Sequence, residues 1–134
     1  MKQKLRLIFI GEEPSPTAIK KGWTWYDRRL ASKTLHDALD ASGFDIDRIF
    51  HNLFDEGQVR QKVLDHIKIP TRNFYIIALG NKVQRVLRKE KIKFTPMIHP
   101  AARGKIRKAE NYAAHVKDCL TTIAQSIQSP EWRY

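Results

Sequence analysis

Residues 5–15 read Leu-Arg-Leu-Ile-Phe-Ile-Gly-Glu-Glu-Pro-Ser, an apolar run that stops at a glycine and passes straight into two carboxylates and a proline. A short β-branched and aromatic run ended by Gly and Pro predicts a buried strand over Leu5–Ile10 followed by a turn. Three further runs have this form: Arg48–Phe54, Asn73–Leu79 and Phe94–Ile98. Within the third of these four strands, "YIIAL" is apolar at consecutive positions, as in a strand covered on both faces. Helical spacing fills the intervals. Leu35, Ala38, Leu39 and Ser42 make one face, closed by Gly43. Val59, Val63, Leu64 and Ile67 make a second, with Asp55 as its N-cap. Val83, Val86 and Leu87 make a short third, and Ala109, Tyr112, Ala113, Val116, Leu120, Ile123 and Ile127 a long last one. The alternation predicts a single α/β domain over residues 1–134: a three-layer α/β/α sandwich around a four-stranded parallel sheet, with a frayed tail at Ser129–Tyr134.

In open parallel sheets the site forms outside the carboxyl ends of the strands. That rule gathers Gly11, Glu12, Glu13, Pro14 and Ser15 after the first strand, Asn52 at the end of the second, Gly80-Asn81 after the third and His99-Pro100 after the fourth. Trp23, Trp25 and Tyr26 crowd three large rings into four residues of a Lys- and Thr-containing loop, which suits a shelf on which a flat ring stacks.

The chain of 134 residues carries 25 Lys+Arg against 14 Asp+Glu, a net charge of +11. Ten of those cations and one acid, Glu90, fall between Lys82 and Lys108. Such an excess attracts a polyphosphate. A single cysteine, Cys119, excludes an internal disulfide and any multi-cysteine metal site, and its place on an apolar helical face reads as a small buried hydrophobe. No apolar run approaches the ~20 residues that span a bilayer, and the apolar stretch behind the basic start is too short for a signal peptide, so a cytoplasmic protein without membrane contact is expected.

"GEEPS", "AIKKGWTWYDRRLASKTLHDALDASGF", "FHNLFD", "YIIALGN" and "MIHPAARG" occur in this order over roughly residues 4–120, and together they resemble the uracil-DNA glycosylase superfamily, with the mismatch-specific and thymine-DNA branch nearest in pattern. The resemblance implies that Glu13, at the third position of the G-x-[D/N/A]-P-[Y/G] motif, positions the attacking water. By the same carry-over Trp25 stacks on the flipped base, Asn52 reads its edge, and His99 hydrogen-bonds the pyrimidine carbonyl and stabilises the departing anion. The loop from Ala101 to Lys108 would enter the DNA with Arg103 as a wedge. Glu13 stands where Asp or Asn is commoner, and Ala101 where the H-P-S motif has Ser.

The mechanism expected is base excision: a nucleotide leaves the stack, a carboxylate stabilises the cationic sugar, and a donor stabilises the anionic base. Glu13 and His99 are the expected catalytic residues; Gly11, Glu12, Pro14, Ser15, Trp25, Tyr26 and Asn52 the substrate-binding ones; Lys82, Arg103, Lys105, Arg107 and Lys108 the DNA-binding ones. Glu12 is expected to point away from the chemistry, toward a helix N-terminus or solvent. The expected partner is DNA, bound by a monomer with neither metal nor organic cofactor. The rival reading is a DNA-binding module that has lost catalysis, for which Glu13 and Ala101 are the motif departures; a third is an enzyme for a modified base.

Overall fold

The computed structural model describes residues 4–69 and 74–128. Strand β1 (Lys4–Gly11) is followed by helices α1 (Pro16–Lys21) and α2 (Ala31–Ala41), strand β2 (Asp45–Asn52), a small hairpin of β3 (Phe54–Asp55) and β4 (Gln58–Val59), and helix α3 (Gln61–Lys68). Strand β5 (Tyr75–Leu79), helix α4 (Asn81–Lys89), strand β6 (Thr95–Met97) and helix α5 (Ala109–Gln128) complete the chain. The main sheet has order β2-β1-β5-β6 and every neighbouring pair is parallel.

Period-two alternation divides β1 between two cores. Leu5, Leu7 and Phe9 join Leu35 and Leu39 of α2 and Tyr112, Val116 and Leu120 of α5 on one face. Ile8 and Ile10 join Val63 and Leu64 of α3 and Val83 and Leu87 of α4 on the other. The expected α/β/α layering and four-stranded parallel sheet are therefore present. The chain leaves β1 toward α2 on one face and leaves β5 toward α4 on the other. The crevice at the carboxyl ends of these adjacent strands is a topological switch point.

Local boundaries differ from the sequence reading in instructive ways. β2 spans Asp45–Asn52 instead of running to Phe54, because the chain turns at Leu53 into the hairpin. Glu56 and Gly57 both take positive φ, as a two-residue hairpin turn requires. Val59 is consequently a strand residue and Asp55 caps nothing; the cap position of α3 is Arg60, with no side-chain cap bond. β5 begins at Tyr75, and β6 is confined to Thr95–Met97. Asn73 and the Ser129–Tyr134 tail lie outside the described residues. Gly43, at φ +87°, ends α2 as expected. No described helix is long and apolar enough to cross a membrane.

Candidate active site

The loop after β1 is pinned by its neighbour. Leu53 N–H donates to the Gly11 carbonyl at 2.8 Å and Phe54 N–H to that of Glu12 at 2.9 Å, so the two carboxylates leave a fixed backbone. Ser15 then caps α1, its hydroxyl accepting from Ala18 N–H at 3.1 Å, with Pro16 in the first turn. The α1–α2 connection folds back over the carboxyl end of β2. It includes Arg28 and Leu30, two non-glycine residues at φ +54° and +55°. Backbone strain of this kind persists where the surroundings over-determine it.

A cavity of about 230 Å³ opens between these segments. Glu13, Pro14 and Ser15 line it from the β1 loop, Trp23, Trp25, Arg29 and Leu30 from the α1–α2 connection, Asn52 from β2, and His99 and Ala101 from beyond β6. Six of the expected catalytic and substrate-binding residues thus share one hollow. The Glu13 side chain is exposed and makes no ion pair among the described residues. Glu12 diverges from it into an adjoining cavity of about 680 Å³, with Gly80, Asn81 and Lys82 at the start of α4. Of the two orientations expected for Glu12, toward a helix N-terminus or toward solvent, this placement corresponds to the first. His99 lines both cavities.

Three aromatic layers run from the core to the cavity wall. Phe9 stacks on Phe50 at 5.1 Å, and Phe50 on Trp25 at 5.6 Å with 8° between the planes. Trp25 Nε1–H donates to Asn52 Oδ1 at 2.7 Å. The Trp25 carbonyl accepts from Ser32 Oγ and from His36 Nε2, the latter at 2.8 Å. Arg48 donates to His36 Nδ1 at 2.7 Å and to Asp40 at 2.6 Å, and Arg28 meets the same carboxylate at 2.7 Å. Gly11 is where the wall meets the sheet: a Cβ there would sit 2.6 Å from Trp25 Cζ2, so only glycine admits the indole.

Tyr26 belongs elsewhere. It is 59% exposed and is not among the lining residues; its ring stands edge-on to Phe50 and its hydroxyl accepts from Phe50 N–H at 3.1 Å, covering the free edge of β2. Trp23, beneath the Arg29 guanidinium at 5.4 Å, takes the place in the cavity wall that Tyr26 does not. Arg29 itself was not singled out by the sequence reading; the only signal was its position beside the aromatic loop.

His99 is held in one tautomer. Ala101 N–H donates to Nδ1 at 3.0 Å, which leaves the ring proton on Nε2. Burial pushes the His99 pKa below its ordinary value, against a partial upward pull from the Glu12 carboxylate. A neutral imidazole whose Nε2–H has no hydrogen-bond partner among the described residues therefore borders both cavities at neutral pH. Gly80, at φ +87°, lies against the base of this side chain: a Cβ there would lie 3.2 Å from the His99 Cβ.

The basic run does not form one patch. Lys82 and Arg85 line the second cavity, Lys82 with its ammonium 4.3 Å from the Phe54 ring. Arg103, Lys105, Arg107 and Lys108 are exposed on the segment that follows His99, anchored by Ile106 against the core and by Asn111 Nδ2 donating to the Lys105 carbonyl at 2.6 Å. Lys91 and Lys93 line a hollow with Phe74 and Ile92, at the amino ends of β5 and β6, where Glu90 pairs with Lys68 at 3.3 Å. Helix α4 carries the chain back along the sheet between the two ends.

Cys119, expected as a small buried hydrophobe, is only half-buried, its sulfur 3.8 Å from the Pro96 carbonyl, and burial raises its pKa. No group of His, Cys, Asp and Glu suited to a metal ion occurs among the described residues. Comparison with protein-family models and with curated proteins finds no match.

Four histidines should make the fold acid-sensitive. Burial lowers the pKa of His36, His51, His99 and His115, with Arg48 and Arg28 adding to the effect at His36, and His66 and Arg60 at His51. Each is preferred neutral in the fold, so its contribution is complete above the unfolded value of about 6.5 and is lost as pH falls toward the lower folded value. The melting temperature, followed by circular dichroism, should hold between pH 8 and 7 and drop by several degrees between about 6.5 and 5. A flat profile there would contradict the buried neutral assignments.

Proposed function

We propose that this chain is a monofunctional DNA N-glycosylase, with the fold of the uracil-DNA glycosylase superfamily, that hydrolyses the bond between deoxyribose and uracil or a modified or mismatched pyrimidine. One observation carries the reading: Glu13, Trp25, Asn52 and His99, drawn from four separate stretches of the sequence, line a single cavity at the carboxyl ends of the strands. Its volume of about 230 Å³ exceeds the ~150 Å³ that admits a benzene ring in an engineered apolar cavity. That is room for one flipped base.

In this reading the target nucleotide leaves the stack and its base enters the hollow lined by Trp23, Trp25, Asn52 and His99. The C1′–N1 bond breaks, its electrons leaving with the base. His99 Nε2–H and the Asn52 amide donate to the oxygens on which that charge accumulates. The Glu13 carboxylate faces the cationic sugar and orients a water, whose oxygen bonds to C1′ as its proton passes to the carboxylate. The cations of the second cavity and of the 103–108 segment hold the flanking phosphates.

The test is a panel of single- and double-stranded oligonucleotides, each with one uracil, mismatched thymine or modified pyrimidine, incubated with the protein and then treated with alkali. Strand scission at one class of lesion is the expected result. Ala101, which contributes only a methyl group to the cavity wall, favours a second reading, a DNA-binding module without catalysis. Binding with no scission at any lesion would select it.

A further inference from the structure

The bond between Trp25 and Asn52 bears on which base the cavity takes. An indole N–H only donates, so the Asn52 atom facing it at 2.7 Å is the carbonyl oxygen. The amide nitrogen of Asn52 makes no hydrogen bond among the described residues and is not a buried unsatisfied group, while Asn52 lines the cavity. Trp25, whose indole sets this orientation, is held from several sides: its ring lies on Phe50, its edge meets Gly11, and its backbone carbonyl accepts from Ser32 and His36.

We propose that Trp25 is a positioning residue for specificity, which turns the Asn52 carboxamide so that the cavity offers the base a hydrogen-bond donor and commits the acceptor to the protein. This rests on the reading of the cavity as a base pocket, and it gives Trp25 a task beyond stacking. A ring carbonyl placed against Asn52 is matched. An exocyclic amine there sets donor against donor and leaves both groups unpaired in a desolvated place. Without the indole N–H the carboxamide is free to turn over, and either edge is accepted.

The probes are single-stranded oligonucleotides identical but for one base, uracil or cytosine; the readouts are the excision rate and the affinity of each. Wild type should prefer uracil. Trp25→Phe keeps a ring against Phe50 but lacks the N–H, and should reduce that preference about tenfold or more, leaving the salt dependence of binding unchanged. Gly11→Ala keeps the N–H but would place a Cβ 2.6 Å from Cζ2, and should reduce the preference in the same way by displacing the ring. A purely structural role for Trp25 would slow both substrates together and leave their ratio intact. Should neither variant fold, hydrogen exchange of the Trp25 indole N–H in wild type decides: slow exchange supports the bond, and exchange as fast as that of a free indole overturns the proposal. Folded variants with the wild-type ratio also overturn it. No preference in wild type overturns the base-pocket reading itself.

Discussion

Replacing Glu13 with Gln should slow base release a hundredfold or more while DNA affinity stays within about twofold. The substitution keeps the shape and removes a charge that acts on the cation developing on the sugar and on the attacking water, so the loss falls on the chemical step. Glu12→Gln is the internal control. The adjacent carboxylate lines the other cavity beside Gly80 and Asn81, and its removal should cost less than about tenfold, chiefly through its influence on His99. Single-turnover release of base from a uracil-containing strand, with affinity measured in parallel by anisotropy, checks both. Equal losses in the two variants would place the chemistry in neither cavity alone.

The second large effect is on DNA affinity. With four or five phosphates neutralised by the cations at the carboxyl end of the sheet, raising salt from 50 to 200 mM should weaken binding on the order of a hundredfold. Lys105→Ala with Arg107→Ala should lower the log–log slope by about one unit per lost contact, with little change in base preference. Lys91→Ala with Lys93→Ala should leave the slope unchanged, because those side chains lie by the amino ends of β5 and β6. Arg103→Ala should matter more on duplex than on single strands, as a wedge would. Equal slope changes from both lysine-containing pairs would mean that the protein approaches DNA by another face.

The division of the basic run marks the limit of what a linear reading delivers. Ten cations in 27 residues look like one footprint until α4 reverses the chain and carries Arg88–Lys93 to the far end of the sheet. The sheet itself was legible because its strands are short apolar runs closed by turn residues and separated by helical spacing, and the carboxyl-end rule then located Glu13, Asn52 and His99 without any knowledge of contacts. Hairpin β3–β4 was missed although Glu56-Gly57 carried its turn signal, since Val59 also fits the helical spacing of Val63 and Ile67. The aromatic loop was legible as a cluster but not residue by residue. Whether Trp23, Trp25 or Tyr26 enters the cavity depends on the 3₁₀ turn at Trp25–Asp27 and on the free backbone edge at Phe50 that Tyr26 covers. The bond from Trp25 to Asn52 joins residues 27 apart in sequence and has no local signature at all.

Base excision itself is read by mass-spectrometric detection of free base from a uracil-containing single strand incubated with the wild-type protein at low salt and neutral pH. Free uracil and abasic strand should appear in equal amounts, with no release from the matching cytosine strand. Tight, salt-sensitive binding of the strand with the base still attached, for uracil and for the mismatched and modified pyrimidines alike, would contradict base excision.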